Sequence, residues 1–172
     1  ILPMYSAINQ DFRAQFEFVT NFNVSVGWRF QYAGVFRYKY QGVTFYFIDN
    51  EYYFKREGNI YGFYDDAERF AFFSRAILEI IPHIDFKPDI IHCNDWQTAL
   101  TPVYYSSMYA NAPGYENIKT VFTIHNIQYQ GVYGKELIDN VVGLDYSHKN
   151  LIGYDDTVNF SKAAIECANA VT

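Results

Sequence analysis

The apolar positions along the chain change their spacing from segment to segment, and each spacing predicts a different element. Val24-Ser25-Val26-Gly27-Trp28 alternates, and two apolar runs, Tyr38-Lys39-Tyr40 and Val43-Thr44-Phe45-Tyr46-Phe47-Ile48, flank Gln41-Gly42. β-branched and aromatic residues so arranged predict an antiparallel hairpin region with a tight turn at Gln41-Gly42. The stretch from Asn50 to Asp65 mixes Tyr, Gly, Asn and charge, and reads as a loop punctuated by Gly58 and Gly62. Beyond it Phe70, Phe73, Ile77 and Ile80 recur at three- and four-residue steps, which is one apolar face of a helix. Asp65 and Glu68 stand at capping-box spacing at its start, and Pro82 ends it.

Two short apolar runs then end in polar residues able to do chemistry: Asp89-Ile90-Ile91-His92-Cys93-Asn94-Asp95-Trp96 and Thr120-Val121-Phe122-Thr123-Ile124-His125-Asn126. Each reads as a buried parallel strand emerging at its C-terminal end, and their starts are about thirty residues apart, the length of a βαβ unit. Between them Leu100, Val103, Tyr104 and Met108 mark a helix that Asn94 and Gln97 are spaced to cap, ending near Asn111-Ala112-Pro113-Gly114. Gly131 to Asp156 reads as loop, and Asp156 or Thr157 as the cap of a last helix, Val158 to Asn169. Ile1-Leu2-Pro3 reads as the end of a strand already under way, and the last residues as a strand unfinished. The expectation is one α/β domain over residues 1–172, a Rossmann-like open sheet with an antiparallel hairpin region, cut from a longer protein. In such sheets ligands bind outside the carboxyl ends of the strands, so His92, Asn94, Asp95, His125 and Asn126 are predicted to share one mouth.

Composition narrows what that mouth can hold. With 172 residues, half of them hydrophobic and 20% aromatic, the chain can bury a real core and cannot be disordered. The net charge is −6 and the basic residues are scattered singly, which excludes a nucleic-acid footprint and argues against docking on anionic lipid. No run approaches about 18 apolar residues, so no membrane span is expected. The start carries no signal-peptide pattern, and Cys93 and Cys167 sit in apolar stretches as reduced thiols rather than a disulfide framework. The expected compartment is the cytoplasm.

At the mouth itself, Asp95 can cap a helix or accept hydroxyl hydrogen bonds from a polar ligand, and the two roles are compatible. His125-Asn126, at a strand end before a Gly-containing loop, can aim donors and acceptors at a ligand or hold that loop. His92, inside its strand, reads as a satisfied core histidine. No zinc-type spacing, Gly-x-Ser-x-Gly elbow, Walker pattern or dinucleotide glycine fingerprint occurs, so neither a metal nor a cofactor is expected. Aromatic faces beside Asn, Asp and His suit sugars. Trp96, Tyr61, Tyr129 and Tyr133 are stacking candidates, each with an alternative as core or loop filler.

Several segments, in this order, resemble the bacterial glycogen synthases and plant starch synthases, the family 5 glycosyltransferases. They are Val26-Gly27-Trp28-Arg29, Tyr46-Phe47-Ile48-Asp49-Asn50, Gly58-Asn59-Ile60-Tyr61, Pro88 to Gln97, Thr123 to Gly131, and Phe160-Ser161-Lys162-Ala163-Ala164. The resemblance implies the N-terminal, acceptor-side domain of a GT-B architecture, in which two Rossmann-like domains face each other across a cleft. It implies transfer of glucose from ADP-glucose to the non-reducing end of an α-1,4-glucan, with retention and without a metal. His125 matches the family's active-site histidine, Asp95 the acidic residue in the cleft, Tyr61 the tyrosine near the donor and Asn126 the neighbour of the histidine. Gln128 and Trp96, in the same motifs, are further candidate substrate contacts. The family's first strand, its Lys-x-Gly-Gly loop and its whole C-terminal domain find no counterpart here. The chain alone is therefore expected to be inactive, and to self-associate through sheet edges left open. A non-catalytic carbohydrate-binding module and another GT-B transferase, such as a sucrose-phosphate synthase-like enzyme, are the alternatives.

Overall fold

The computed structural model describes residues 1–172, the side chain of Tyr146 excepted. Strand β1 (Leu2–Pro3) leads through the short helix α1 (Gln10–Arg13) into three long strands, β2 (Glu17–Val26), β3 (Arg29–Tyr40) and β4 (Val43–Asp49). They form a sheet of order β1-β4-β3-β2, antiparallel except for the parallel pair β1–β4. Gln41 and Gly42 both take positive φ, 48° and 80°, the primed turn whose twist matches the flanking strands. The hairpin region is therefore as the alternation predicts.

The segment expected as pure loop opens with a helical turn, α2 (Glu51–Phe54), because the Asn50 side chain accepts from Tyr53 N at 3.0 Å and caps it. Helix α3 (Asp66–Glu79) follows, burying Phe70, Phe72, Phe73, Ala76 and Ile77. Its expected capping box does not form. Asp65 makes no capping bond and is taken instead by Arg56 at 2.7 Å, and Glu68 accepts from Tyr53 Oη at 2.5 Å and pairs with Arg29 at 3.3 Å.

Strand β5 (Ile90–Asn94), a helical run from Trp96 to Tyr109 containing α4 (Leu100–Tyr104), and strand β6 (Lys119–Thr123) make the predicted βαβ unit. The loop-like region after it holds β7 (Val132–Gly134), α5 (Lys149–Ile152), β8 (Gly153–Tyr154) and β9 (Thr157–Asn159), a small sheet of order β7-β9-β8. That pairing takes Val158 and Asn159 out of the last helix and moves its cap from the expected Asp156 or Thr157, so α6 runs Phe160–Cys167, capped by Asn159 accepting from Lys162 N at 2.9 Å. The final strand, β10 (Ala170–Val171), pairs with β6, giving a parallel sheet β10-β6-β5.

The fold is thus mixed α/β with open sheets. Among the described residues β5 pairs only with β6, and β1 only with β4. Between these two edges lies a cavity of about 770 Å³, bounded by Leu2 and Pro3 on one side, by Ile90 to Asn94 on the other, and by Phe70, Phe73 and Ile77 of α3. Along β5, Ile91 and Cys93 are buried while Ile90, His92 and Asn94 are exposed. This corrects the expectation for His92: the pleat turns it to the uncovered face, where its Nε2 lies 2.7 Å from Thr123 Oγ1. No helix of the described residues is long and apolar enough to cross a membrane.

Candidate functional site

The carboxyl ends of β5 and β6 are joined by a single side chain. Asp95 N donates to Thr123 O at 2.9 Å, so the ladder continues one residue past β5. Asp95 then turns sharply, with φ 57° and ψ 177°, a backbone conformation that L-residues rarely hold and that concentrates at functional sites. Its carboxylate oxygen Oδ1 accepts from His125 N at 2.8 Å and from Asn126 N at 3.4 Å. The cap of the following helix, the role expected from its position, makes no such bond. The His125 ring closes the arrangement, with Nε2 2.9 Å from Asn94 Oδ1. That oxygen can only accept, so Nε2 donates to it and Nδ1 is left outside this bond. Asn126 bends the chain onward, its Oδ1 accepting from Gln128 N at 3.0 Å. Asn94, Asp95, His125 and Asn126 therefore meet at one rim.

Tyr61 comes from the far side. It is half exposed and lines the 770 Å³ cavity with Asn94, Gln97 and Thr98. Its loop is held from below by Arg69, which is fully buried in α3. Arg69 Nε donates to Tyr53 O at 2.7 Å, Nη2 to Ile60 O at 3.2 Å, and Nη1 to Asp66 Oδ1. Asp66 Oδ2 in turn accepts from Gly62 N and Phe63 N. The sequence reading missed this pair. The available signal was a charged residue directly before Phe70, at the start of a helix whose apolar face packs into the core.

Two candidates lie elsewhere. Trp96 is buried, its ring edge-on to Phe70 at 5.0 Å and 6.2 Å from Tyr133, with Gly131 so close that a Cβ there would sit 2.9 Å from Trp96 Cε3. It supports the rim from inside the core, as does Tyr133, whose ring lies 5.4 Å from Phe160. Gln128 is exposed and lines a separate depression with Gln130 and Asn159. Cys93, one residue before Asn94, is no nucleophile: burial pushes its thiol up to about 12. Among the described residues no cluster of three or more His, Cys, Asp or Glu is placed to hold a metal ion.

Comparison with known proteins places the chain in a family. Residues 1–172 match the family described as the starch synthase catalytic domain. A glycogen synthase of Exiguobacterium sibiricum is 51% identical over 176 residues, and one of Desulforamulus reducens 51% over 174 residues. Each match covers 100% of this chain and 36% of the relative. The chain thus spans about a third of the length of the curated relatives it matches. The solved catalytic domain of starch synthase IV from Arabidopsis thaliana, bound to ADP and acarbose, superposes with a TM-score of 0.84 at 31% identity. That match covers 99% of this chain and 36% of the other. With a match along its whole length, the chain belongs to the starch synthase catalytic domain family.

Proposed function

We propose that this chain is the acceptor-side half of a retaining glucosyltransferase that moves glucose from ADP-glucose to the non-reducing end of an α-1,4-glucan. The observation that carries the reading is the stitched rim, in which one carboxylate fixes the backbone of His125 and Asn126 while Asn94 fixes the imidazole. Such a rim is rigid before any ligand arrives, and fixed dipoles stabilise developing charge without reorganising. His125 Nδ1 and Asp95 Oδ2 supply acceptors for sugar hydroxyls, and Asn126 supplies an amide. Tyr61 offers a half-exposed ring on the wall opposite β5. Asp95 is the carboxylate at the rim, and with its Oδ1 taken by two backbone amides the reading gives it the binding of sugar hydroxyls, with departure and attack on one face of the sugar.

The rest of the reaction falls to a second domain. A diphosphate leaving group needs cations and a helix N-terminus to receive its charge, and the curated relatives are nearly three times as long as the matched segment. On this reading the 172 residues alone turn over no ADP-glucose. The test is incorporation of labelled glucose from ADP-glucose into glycogen by the intact protein. His125→Ala is expected to lower the rate at least about a hundredfold, the usual scale for an oriented group acting on the transition state. Elongation unchanged in His125→Ala overturns the site. Glycogen binding with no transfer by the unaltered intact protein supports the carbohydrate-module alternative instead.

A further inference from the structure

We propose that Asn94 is a positioning residue of the transfer: its side-chain oxygen sets the rotation of the His125 ring and keeps that ring's proton on Nε2. The inference deepens the glucan-elongating reading and rests on it for the step that the ring serves. The contact is one bond, Asn94 Oδ1 to His125 Nε2 at 2.9 Å. Asp95 accepts from the backbone amides of His125 and Asn126 and so holds the chain that carries the ring. That leaves the two side-chain torsions of the histidine, each with several staggered or broad wells, unset. Only a partner at the far end of the imidazole stops the ring from turning. Among the described residues Asn94 is the one group hydrogen-bonded to it.

Asn94 is itself held firmly enough to do this. It pairs with Thr123 in the ladder between β5 and β6. Its carbonyl accepts from Thr98 Oγ1 at 2.9 Å, and the same hydroxyl reaches Asp95 O at 3.2 Å. The backbone of residue 94 is thus tied to the next strand on one side and to the following helical turn on the other. In a regular strand consecutive side chains point to opposite faces, so residues 94 and 95 could not both reach residue 125. The φ of 57° at Asp95 breaks the alternation at that one place. The strained backbone therefore has a use: it brings a carboxylate to the main chain and a carboxamide to the ring of the same histidine. A carboxamide suits the second role. Its oxygen accepts the Nε2 proton as a carboxylate would, yet adds no negative charge to hold a second proton on the ring. Nδ1 is then the ring nitrogen left for a ligand. Asn94 also lines the cavity with Tyr61, Gln97 and Thr98, so the bond lies where the crevice opens.

Two substitutions in the intact protein test the role. Asn94→Leu is close in size and removes the acceptor. It should lower kcat for glucosyl incorporation about ten- to a hundredfold, the cost of a misplaced group, with KM for ADP-glucose changed by less than about twofold. In the His125→Ala background the same substitution should cost nothing further, because Asn94 acts through the ring. Asn94→Asp keeps the acceptor and adds a charge that favours the imidazolium. It should recover most of the rate above about pH 8, while the acid limb of its pH–rate profile moves up by about one unit or more. The titrating groups beside the ring, Asp95 at its backbone amide, His92 on β5 bonded to Thr123 at 2.7 Å, and Tyr61 and Tyr129 on the flanking loops, are the same in every variant. A shift between variants therefore reads position 94. The ring is also observed directly, without turnover, in spectra of protein labelled with 15N-histidine, where His125 is assigned by its absence in His125→Ala. It should be the Nε2–H tautomer in the unaltered protein and a mixture of both tautomers in Asn94→Leu. Additive losses in the double variant, an acid limb of Asn94→Asp that superposes on the unaltered one, or an Nδ1–H ring in the unaltered protein each overturn the proposal, and the last two stand even if Asn94→Leu does not fold. An intact protein that loses elongation in His125→Ala but ignores Asn94→Leu sinks this inference alone. One whose ring follows Asn94 in the spectra but that elongates no glucan sinks the catalytic reading alone.

Discussion

Replacing Arg69 by Met should cost the chain about 4 kcal/mol and loosen the Tyr61 loop. Arg69 is wholly buried, and its guanidinium serves two backbone carbonyls, Tyr53 O and Ile60 O, and the Asp66 carboxylate. Rings of Phe54, Phe63 and Phe70 lie 4.8 to 5.7 Å from it. Methionine keeps most of the volume and removes the donors. Removing one partner of a buried ion pair costs roughly 3–5 kcal/mol, because the remaining charge is left uncompensated. Asp66 retains Gly62 N and Phe63 N as donors, which holds the figure to the middle of that range. Against a total stability of about 5–15 kcal/mol this is a large fraction. With a urea slope of about 2 kcal/mol per M, the unfolding midpoint should fall by about 2 M. Adding Asp66→Leu removes the orphaned charge and should recover part of the loss, yet leave the Gly62 and Phe63 amides without their acceptor. Hydrogen exchange at those two amides should then be fast in the double variant although its midpoint has risen. A midpoint drop below about 0.5 M in Arg69→Met, or slow exchange at Gly62 and Phe63 in the double variant, would refute the assignment of this pair as the anchor of the loop.

Three further outcomes follow from the same structure. Asp95 holds a positive φ that costs an L-residue roughly 1–3 kcal/mol, so Asp95→Gly should unfold at higher urea than Asp95→Ala, and equal midpoints would remove the strain from the account. Asp89 O and Asp95 N both point to β6, so by alternation the peptide groups of Ile90, His92 and Asn94 face the opening beside β1. Concentration-dependent association in sedimentation velocity is expected through that edge, and His92→Pro, which deletes an outward donor, should suppress it. A clean monomer at the highest attainable concentration would count against open-edge pairing. Burial raises Tyr5, Tyr115 and Cys93 to about 12 from ordinary values of 10.0 and 9.0. Up to about pH 8 both folded and unfolded chains keep these protons. Above it the unfolded chain releases them first, Cys93 before the two tyrosines, so stability should fall as pH rises from about 8 toward 12, and a flat urea midpoint across that window would contradict the shifts.

Whatever depended on spacing within one segment was legible in the sequence. The Gln41-Gly42 turn, the apolar face of α3 and the βαβ unit around α4 all follow from local period and turn chemistry. Misreadings came where a polar residue had two possible partners. Asp65 and Glu68 have capping-box spacing, but Arg56, Tyr53 and Arg29 arrive from other elements and take them. Thr157–Asn159 has the period of a helix start, but Val132–Gly134 offers a strand edge first. His92 alternates into an apolar run, yet only one face of that sheet is covered. At the site, the motif order brought Asp95, His125 and Asn126 together correctly as neighbours. Trp96 shares their motif but not their surface, because the helix that begins there turns its ring against Phe70.

The two loops that carry the candidate sugar contacts are held by the same arrangement, and the difference between the two cases bears on what the crevice can bind. Asp66 accepts from two consecutive backbone amides, Gly62 and Phe63, and so fixes the loop of Tyr61. Asp95 accepts from two consecutive backbone amides, His125 and Asn126, and so fixes the backbone that carries the imidazole. Asp66 is buried, and Arg69 neutralises it. Asp95 is half-buried at the rim, and among the described residues no Lys or Arg forms an ion pair with it. Its negative charge therefore faces whatever enters. A carboxylate there favours hydroxyl donors and repels phosphate oxygens at close range. On the proposed reading, a rim of this kind suits a neutral sugar better than a diphosphate. That preference is the physical argument for reading these 172 residues as the acceptor half of the proposed reaction, with the leaving-group charge met elsewhere in the longer protein.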